Sequence, residues 1–291
     1  MPVSTLLSPF TMPFMQTAAA EVAVLAFVAG IVGPQVVARR LGFLSHALGA
    51  GAFPGLVVAA AVGLPAQLAA LATGGLMAGA LNRLVRHGRV ATDAATAIVL
   101  VVSLATGVVL ASNVFTTTVG VDRLLFGSLL SIDNGDVRNA LIATAAIGLV
   151  AAACWRTWRY AAFDFQGARA AGRRVSAADW ALLACVAVAV VVTLDAVGSL
   201  LVTALLVVPA ATAWITGVRD VWLAALTTVI ALVEGLVGIR LAYELDIPPG
   251  AAVAVIAAAG YLAVAGYSRL RRSARADAAA SAVATTGRSA A

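Results

Sequence analysis

Four ionisable side chains interrupt long apolar stretches of this chain: Glu21, His46, Asp195 and Glu234. A charged group in the middle of a membrane-depth helix costs roughly 2.5–3.5 kcal/mol on insertion scales, so such residues face a cavity or a partner and are candidate functional sites. The imidazole of His46, the only histidine inside an apolar stretch, suits zinc, copper, iron or nickel better than magnesium or calcium. Carboxylates facing a central cavity would give oxygen partners to a divalent cation crossing a low-dielectric core. Asp195, at the junction of two apolar runs, is the best placed of the three acids. Glu21 and Glu234 also read as residues near helix ends that reach water or an interfacial arginine. His46 has two readings as well, a ligand along a metal path or a structural hydrogen-bonding residue. His87, between Arg86 and Arg89, reads as a solvated loop residue.

The elements that carry these residues must lie in lipid. The 291 residues are 62% hydrophobic and 11% charged, against roughly 45–50% and about 25% in soluble domains. A soluble fold could not bury that much apolar surface. Runs approaching the ~20 residues a bilayer requires occur at 18–37, 44–64, 66–81, 94–111, 140–153, 180–194, 197–214, 221–239 and 251–267. The fold class is therefore all-α, a polytopic transmembrane bundle of eight or nine helices, some short or broken. Residues 1–17 form an external N-terminal segment and 18–267 the transmembrane domain. The tail from 268 to 291, rich in Ala, Ser, Thr and Arg, is expected to be disordered. The start of the chain lacks the basic residues of a cleavable signal peptide.

All nineteen basic residues are arginine, and sixteen of them fall in alternate gaps between the runs, at Arg39/Arg40, Arg83–Arg89, Arg156–Arg174, Arg219 and beyond Arg269. The opposite gaps hold only Arg123, Arg138 and Arg240, among Asp122, Asp133, Asp136, Glu244 and Asp246. Positive loops stay cytoplasmic, so nine spans put the N-terminus outside and the C-terminus inside a bacterial plasma membrane. The net charge of +6 is then a topology signal, and no nucleic-acid role follows. Small residues let helices approach closely in lipid, which makes Gly30, Gly33, Gly74, Gly75, Gly79, Gly198 and Gly217 expected contact points. Pro34, Pro54 and Pro209 remove helical donors and are expected to break helices. Residues 124–139, ending in an Asp-Asn-Gly turn signal, read as a short external helix or cap. Cys154 and Cys185 lack disulfide or zinc spacing and read as packing residues.

Within the longest arginine-side loop, AFDFQGARAAG (162–172) can form a short helix that stops at a glycine, either a grip for a soluble partner or a solvated connector. Together with ARRLGFLSHALGAGAFPG (38–55), LLFGSLLSID (124–133), VGSLLVTALLVVPAATA (197–213) and LDIPPGAA (245–252), it makes the chain resemble the permease subunits of ATP-binding-cassette importers for zinc, manganese or iron, the ABC-3 family. The resemblance implies that Asp164, Ala168 and Gly172 belong to a coupling helix that docks into a cytoplasmic ATPase. It also implies a second copy of the chain and an external metal-binding protein. The family pattern commonly has aspartate at the place of His46 and histidine at that of Ala50, two ligands four residues apart on one helical face. This chain departs at both positions. Zinc is the expected cargo, with manganese and iron next, and no resident cofactor is implied. The sequence lacks the phosphate-cradling GxxxxGK[ST], so ATP chemistry belongs to a partner and the chain is not an enzyme.

Two other classes compete. A secondary transporter would couple to an ion gradient through Glu21, Asp195 and Glu234, and would show repeats of matching hydropathy; none is evident. An intramembrane protease would need facing catalytic groups. Ser45 and His46 point about 100° apart on one helix, and Asp195 has no partner aspartate in a run.

Overall fold

The computed structural model describes residues 8–88, 92–114, 133–197 and 202–289. After a 3-10 turn at Ser8–Thr11, the helices are α1 (Pro13–Ala38), α2 (Gly42–Gly51), α3 (Phe53–Val62), α4 (Ala66–Gly88) and α5 (Thr92–Val109), the last running into a π-helical turn at Leu110–Val114. There follow α6 (Asn134–Phe163), α7 (Phe165–Ala170), α8 (Val175–Val197), α9 (Val202–Ile215), α10 (Asp220–Leu245) and α11 (Pro249–Ser289). No strand occurs among the described residues. Seven segments are long and apolar enough to cross a membrane, with α2 and α3 acting as one, and two shorter apolar helices lie at Gln67–Met77 and Ala204–Ile215. Among the described residues, eight of the nine apolar runs lie mainly on one helix each and the run 44–64 is divided between α2 and α3.

Local chemistry explains the boundaries. Pro13, Pro54 and Pro249 open or nearly open their helices, where a missing N–H costs nothing. Pro54 also follows the bend at Ala52 between α2 and α3. Pro34 and Pro209 differ from expectation, since each lies inside an unbroken helix; close neighbours tolerate the lost ladder bond. The Asp-Asn-Gly signal opens a helix rather than a turn. Asp133 caps α6 by accepting from the amides of Gly135 (2.6 Å) and Asp136 (2.9 Å), and the Asp133 amide donates to Asp136 at 3.1 Å, a reciprocal capping box. Helix α6 consequently starts six residues before its apolar run. Residues 124–132 of the motif, and Gly198, lie outside the described residues. The last helix continues as backbone to Ser289, in keeping with the high helix propensity of alanine.

α1 is the hub, packed along its length against α6, α9 and α10. Two core clusters fill around it, one with α6 and α8 through Trp158, Leu182 and Val186, the other with α9, α10 and α11 through Leu205, Ile239 and Val253. α2–α5 form a second block joined to the hub through α8 and α9. Between α2, α4 and α8 lies an apolar groove of about 510 Å³, lined by Leu48, Gly74, Gly75 and Trp180 among others. Leu76, Leu149, Leu262 and Leu270 are exposed on the outside of the bundle, as suits contact with lipid. Several membrane-depth threonines are satisfied locally. Thr106, Thr144, Thr212 and Thr227 each donate to the carbonyl four residues back, at 2.7–2.8 Å.

Candidate transport path and docking helix

Both ends of α7 are built by specific residues. The Asp164 carboxylate accepts from the Gly167 amide at 2.9 Å, capping the helix start. At the other end Gly172 adopts φ +72°. Its amide donates to the Arg169 carbonyl (3.0 Å) and the Arg173 amide to that of Ala168 (3.2 Å), the double bond of a glycine-terminated helix. Ala168 is buried, whereas Asp164, Gln166 and Arg169 are exposed. The predicted helix therefore exists as a capped, single-turn element with an anchored face and a polar face. Its two legs are stitched together. The indole Nε1 of Trp158, a fully buried residue, donates to the Ala178 carbonyl at 2.7 Å, and the Arg173 guanidinium lies 4.4 Å over the Tyr160 ring. Beside it, Trp155, Arg156, Arg159, Tyr160 and Arg173 line a basic cleft. Such a surface can bind an acidic groove.

Contacts between distant helices set the register of the bundle ends. Arg39 pairs with Asp179, and Arg159 with Asp220 at 3.6 Å, so the C-termini of α1 and α6 meet the N-termini of α8 and α10 at the arginine-rich end. Phe14 and Tyr243, with ring centroids 6.0 Å apart, join the N-terminus of α1 to the C-terminus of α10 at the opposite end. Arg138 and Arg240, two exceptions to the arginine asymmetry, lie within helices. Arg240 pairs with Glu244 one turn on at 2.6 Å.

The candidate metal-path residues do not converge. His46 is half-buried on α2 and Ala50, on the same face, is buried; both lie near the arginine-rich end. Asp195 is near the far end of α8, sixteen residues and so about 24 Å along the axis from Asp179. Its side chain lies outside the described residues. Glu21 and Glu234 correct the expectation that they sit near helix ends. They lie well inside α1 and α10 and are buried, at 2% and 6% exposure. Their helices touch where Gly235 meets Val22, and Glu234 fits against α11 because Gly260 has no side chain. No group of three or more His, Cys, Asp or Glu that could hold a metal occurs among the described residues. Cys154 and Cys185 are free thiols in or beside the main core cluster. The arginine pattern reveals nothing of the Arg39–Asp179 pair, whose members are 140 positions apart.

A sequence profile described as the ABC 3 transport family matches residues 11–268. The chain belongs to the ABC 3 transport family. As an ABC 3 permease it is a non-catalytic membrane component, and ATP hydrolysis resides in a separate subunit. It is 31% identical over 259 residues to a "Probable metal transport system membrane protein" of Thermotoga maritima, covering 88% of this chain and 90% of the relative. It is 25% identical to the "Manganese transport system membrane protein MntC" of Halalkalibacterium halodurans, covering 84% of each. To the "Chelated iron transport system membrane protein YfeD" of Yersinia pestis the identity is 27%, covering 92% and 90%. Among solved structures, "PsaBC from Streptococcus pneumoniae in complex with Fab" superposes with a TM-score of 0.82 at 22% identity, covering 93% of this chain and all of that one, a likeness of fold.

Proposed function

We propose that this ABC 3 permease is the membrane half of an ATP-driven importer of a divalent transition metal. The observation that carries the reading is α7, a capped helix presented at the arginine-rich end beside a basic cleft. A cytoplasmic ATPase pair grips it through Asp164, Ala168 and Gly172, with Arg169, Arg173 and Arg174 meeting acidic grooves. The arginine-rich end is cytoplasmic, the N-terminus external, two copies enclose the path, and an external binding protein delivers the ion. Nucleotide binding moves α7, and the bundle alternates between outward-open and inward-open states.

The relatives' names speak of manganese, iron and chelated iron. Zinc is our first assignment for this chain, ahead of manganese and iron, because an imidazole at His46 in place of an oxygen donor favours borderline-soft ions. A single ligand on that face suits an ion in passage rather than a resident one, and Asp195 would serve the opposite mouth. The test is reconstitution with the cognate ATPase and binding protein in vesicles. ATP-dependent Zn²⁺ uptake is expected, and uptake that follows an ion gradient without ATP would refute the reading. In the same assay His46→Ala should cut uptake about tenfold while assembly and basal ATP hydrolysis persist, about 1.4 kcal/mol of lost path stabilisation; unchanged uptake makes His46 structural.

A further inference from the structure

α7 makes its contacts with α6 and α8, so any displacement of it reaches the rest of the bundle through those two legs. Arg39, the residue that ends α1, holds both. Its Nη1 pairs with the Asp179 carboxylate on α8, and its Nη2 donates to the Trp158 carbonyl on α6 at 3.4 Å. The Arg39 side chain is 15% exposed and that of Asp179 30%, so the pair is partly shielded from water and less screened than a surface pair. Trp158 closes the triangle through its indole bond to Ala178.

The corner behind Arg39 is unusual. α1 ends with the Arg40 amide donating to Val37 (3.1 Å) and the Leu41 amide to Val36 (2.8 Å), the termination that normally uses a left-handed glycine. Here an arginine occupies that place, at φ +57°. A side chain in this region persists where its surroundings hold the backbone there. Two residues further on α2 begins, and it carries His46 one turn later. One guanidinium thus ties the two legs of the docking helix to a constrained corner that leads directly into the His46 helix. Apolar packing lets helices slide past each other, whereas a directional charge pair with a fixed carbonyl does not.

We propose that Arg39 is a positioning residue that transmits displacement of α7 to α2, so that the Arg39–Asp179–Trp158 clasp couples ATP hydrolysis to opening of the path. This rests on the importer reading of α7. The experiment uses the full complex of permease, cognate ATPase and binding protein in vesicles, and measures Zn²⁺ or Mn²⁺ taken up per ATP hydrolysed. Arg39→Ala and Asp179→Ala should lower that ratio at least tenfold with ATP hydrolysis within twofold of wild type. Arg39→Lys, which keeps the charge for Asp179 and a donor for the Trp158 carbonyl, should retain at least a third of it. Should the alanine variants fail to assemble, Asp179→Asn, which keeps shape and removes charge, is expected to show the same uncoupling. A wild-type ratio in the alanine variants, or Arg39→Lys no better than Arg39→Ala, overturns the clasp. Wild-type protein without ATP-dependent uptake overturns the importer reading, and the clasp's role with it. Robust wild-type uptake with insensitive variants overturns the clasp alone.

Discussion

α1 and α4 are both alanine- and glycine-rich apolar helices, yet they occupy opposite situations. Of the apolar window of α1, 72% is buried inside the chain, and its glycines are contact points. A Cβ on Gly33 would lie 2.6 Å from the Leu206 carbonyl oxygen, and one on Gly30 would lie 2.9 Å from that of Ala224. On α4 only Ala70 and Met77 are buried among the described side chains, and a Cβ on Gly74, Gly75 or Gly79 would meet nothing within 4 Å. The same residue type therefore marks a closed seam in one helix and an open wall in the other. What separates them is the neighbour, which composition does not encode.

Substitutions that fill these positions sharpen the contrast. Gly33→Leu should have the largest effect, about 3 kcal/mol of lost stability, read as a lowered unfolding midpoint in detergent. Gly30→Ala should cost about 1 kcal/mol, since Thr228 can turn aside but the Ala224 carbonyl cannot move far. Gly75→Ala should raise the midpoint slightly, by up to about 1 kcal/mol from helix propensity alone. A Gly75→Ala loss as large as that of Gly33→Leu would show that the open wall is filled, and would erase the distinction between the two helices.

Much of the architecture was legible because hydropathy and charge are local signals. The described parts of the apolar runs are helical, and a short helix within 162–172 stops at Gly172 as glycine chemistry predicts, whereas the Asp164 cap at its start is seen only in the structure. The faces were not legible. Gly74, Gly75 and Gly79 resemble Gly30 and Gly33 in sequence, while the close approaches at Gly51 to Met77, Gly55 to Thr73 and Gly107 to Phe53 carry no local signal. Gly217 proved to be a left-handed helix stop with nothing near it, not a contact point. Pro34 and Pro209 show that a missing donor breaks a helix only where packing fails to hold it. Of the site, the docking helix was readable as a segment, but the burial of Glu21 and Glu234 depends on packing between helices, and the partner of Arg39 lies 140 positions away.

The central place of α1 also bears on biogenesis. It leaves the ribosome before the other described helices, yet the surfaces that cover Gly30 belong to Ala224 and Thr228 on α10. At synthesis rates of about 5–20 residues per second, those nearly two hundred intervening residues take about 10–40 s. During that interval the Gly30 face of α1 waits in lipid uncovered, although its α6 neighbour is already made.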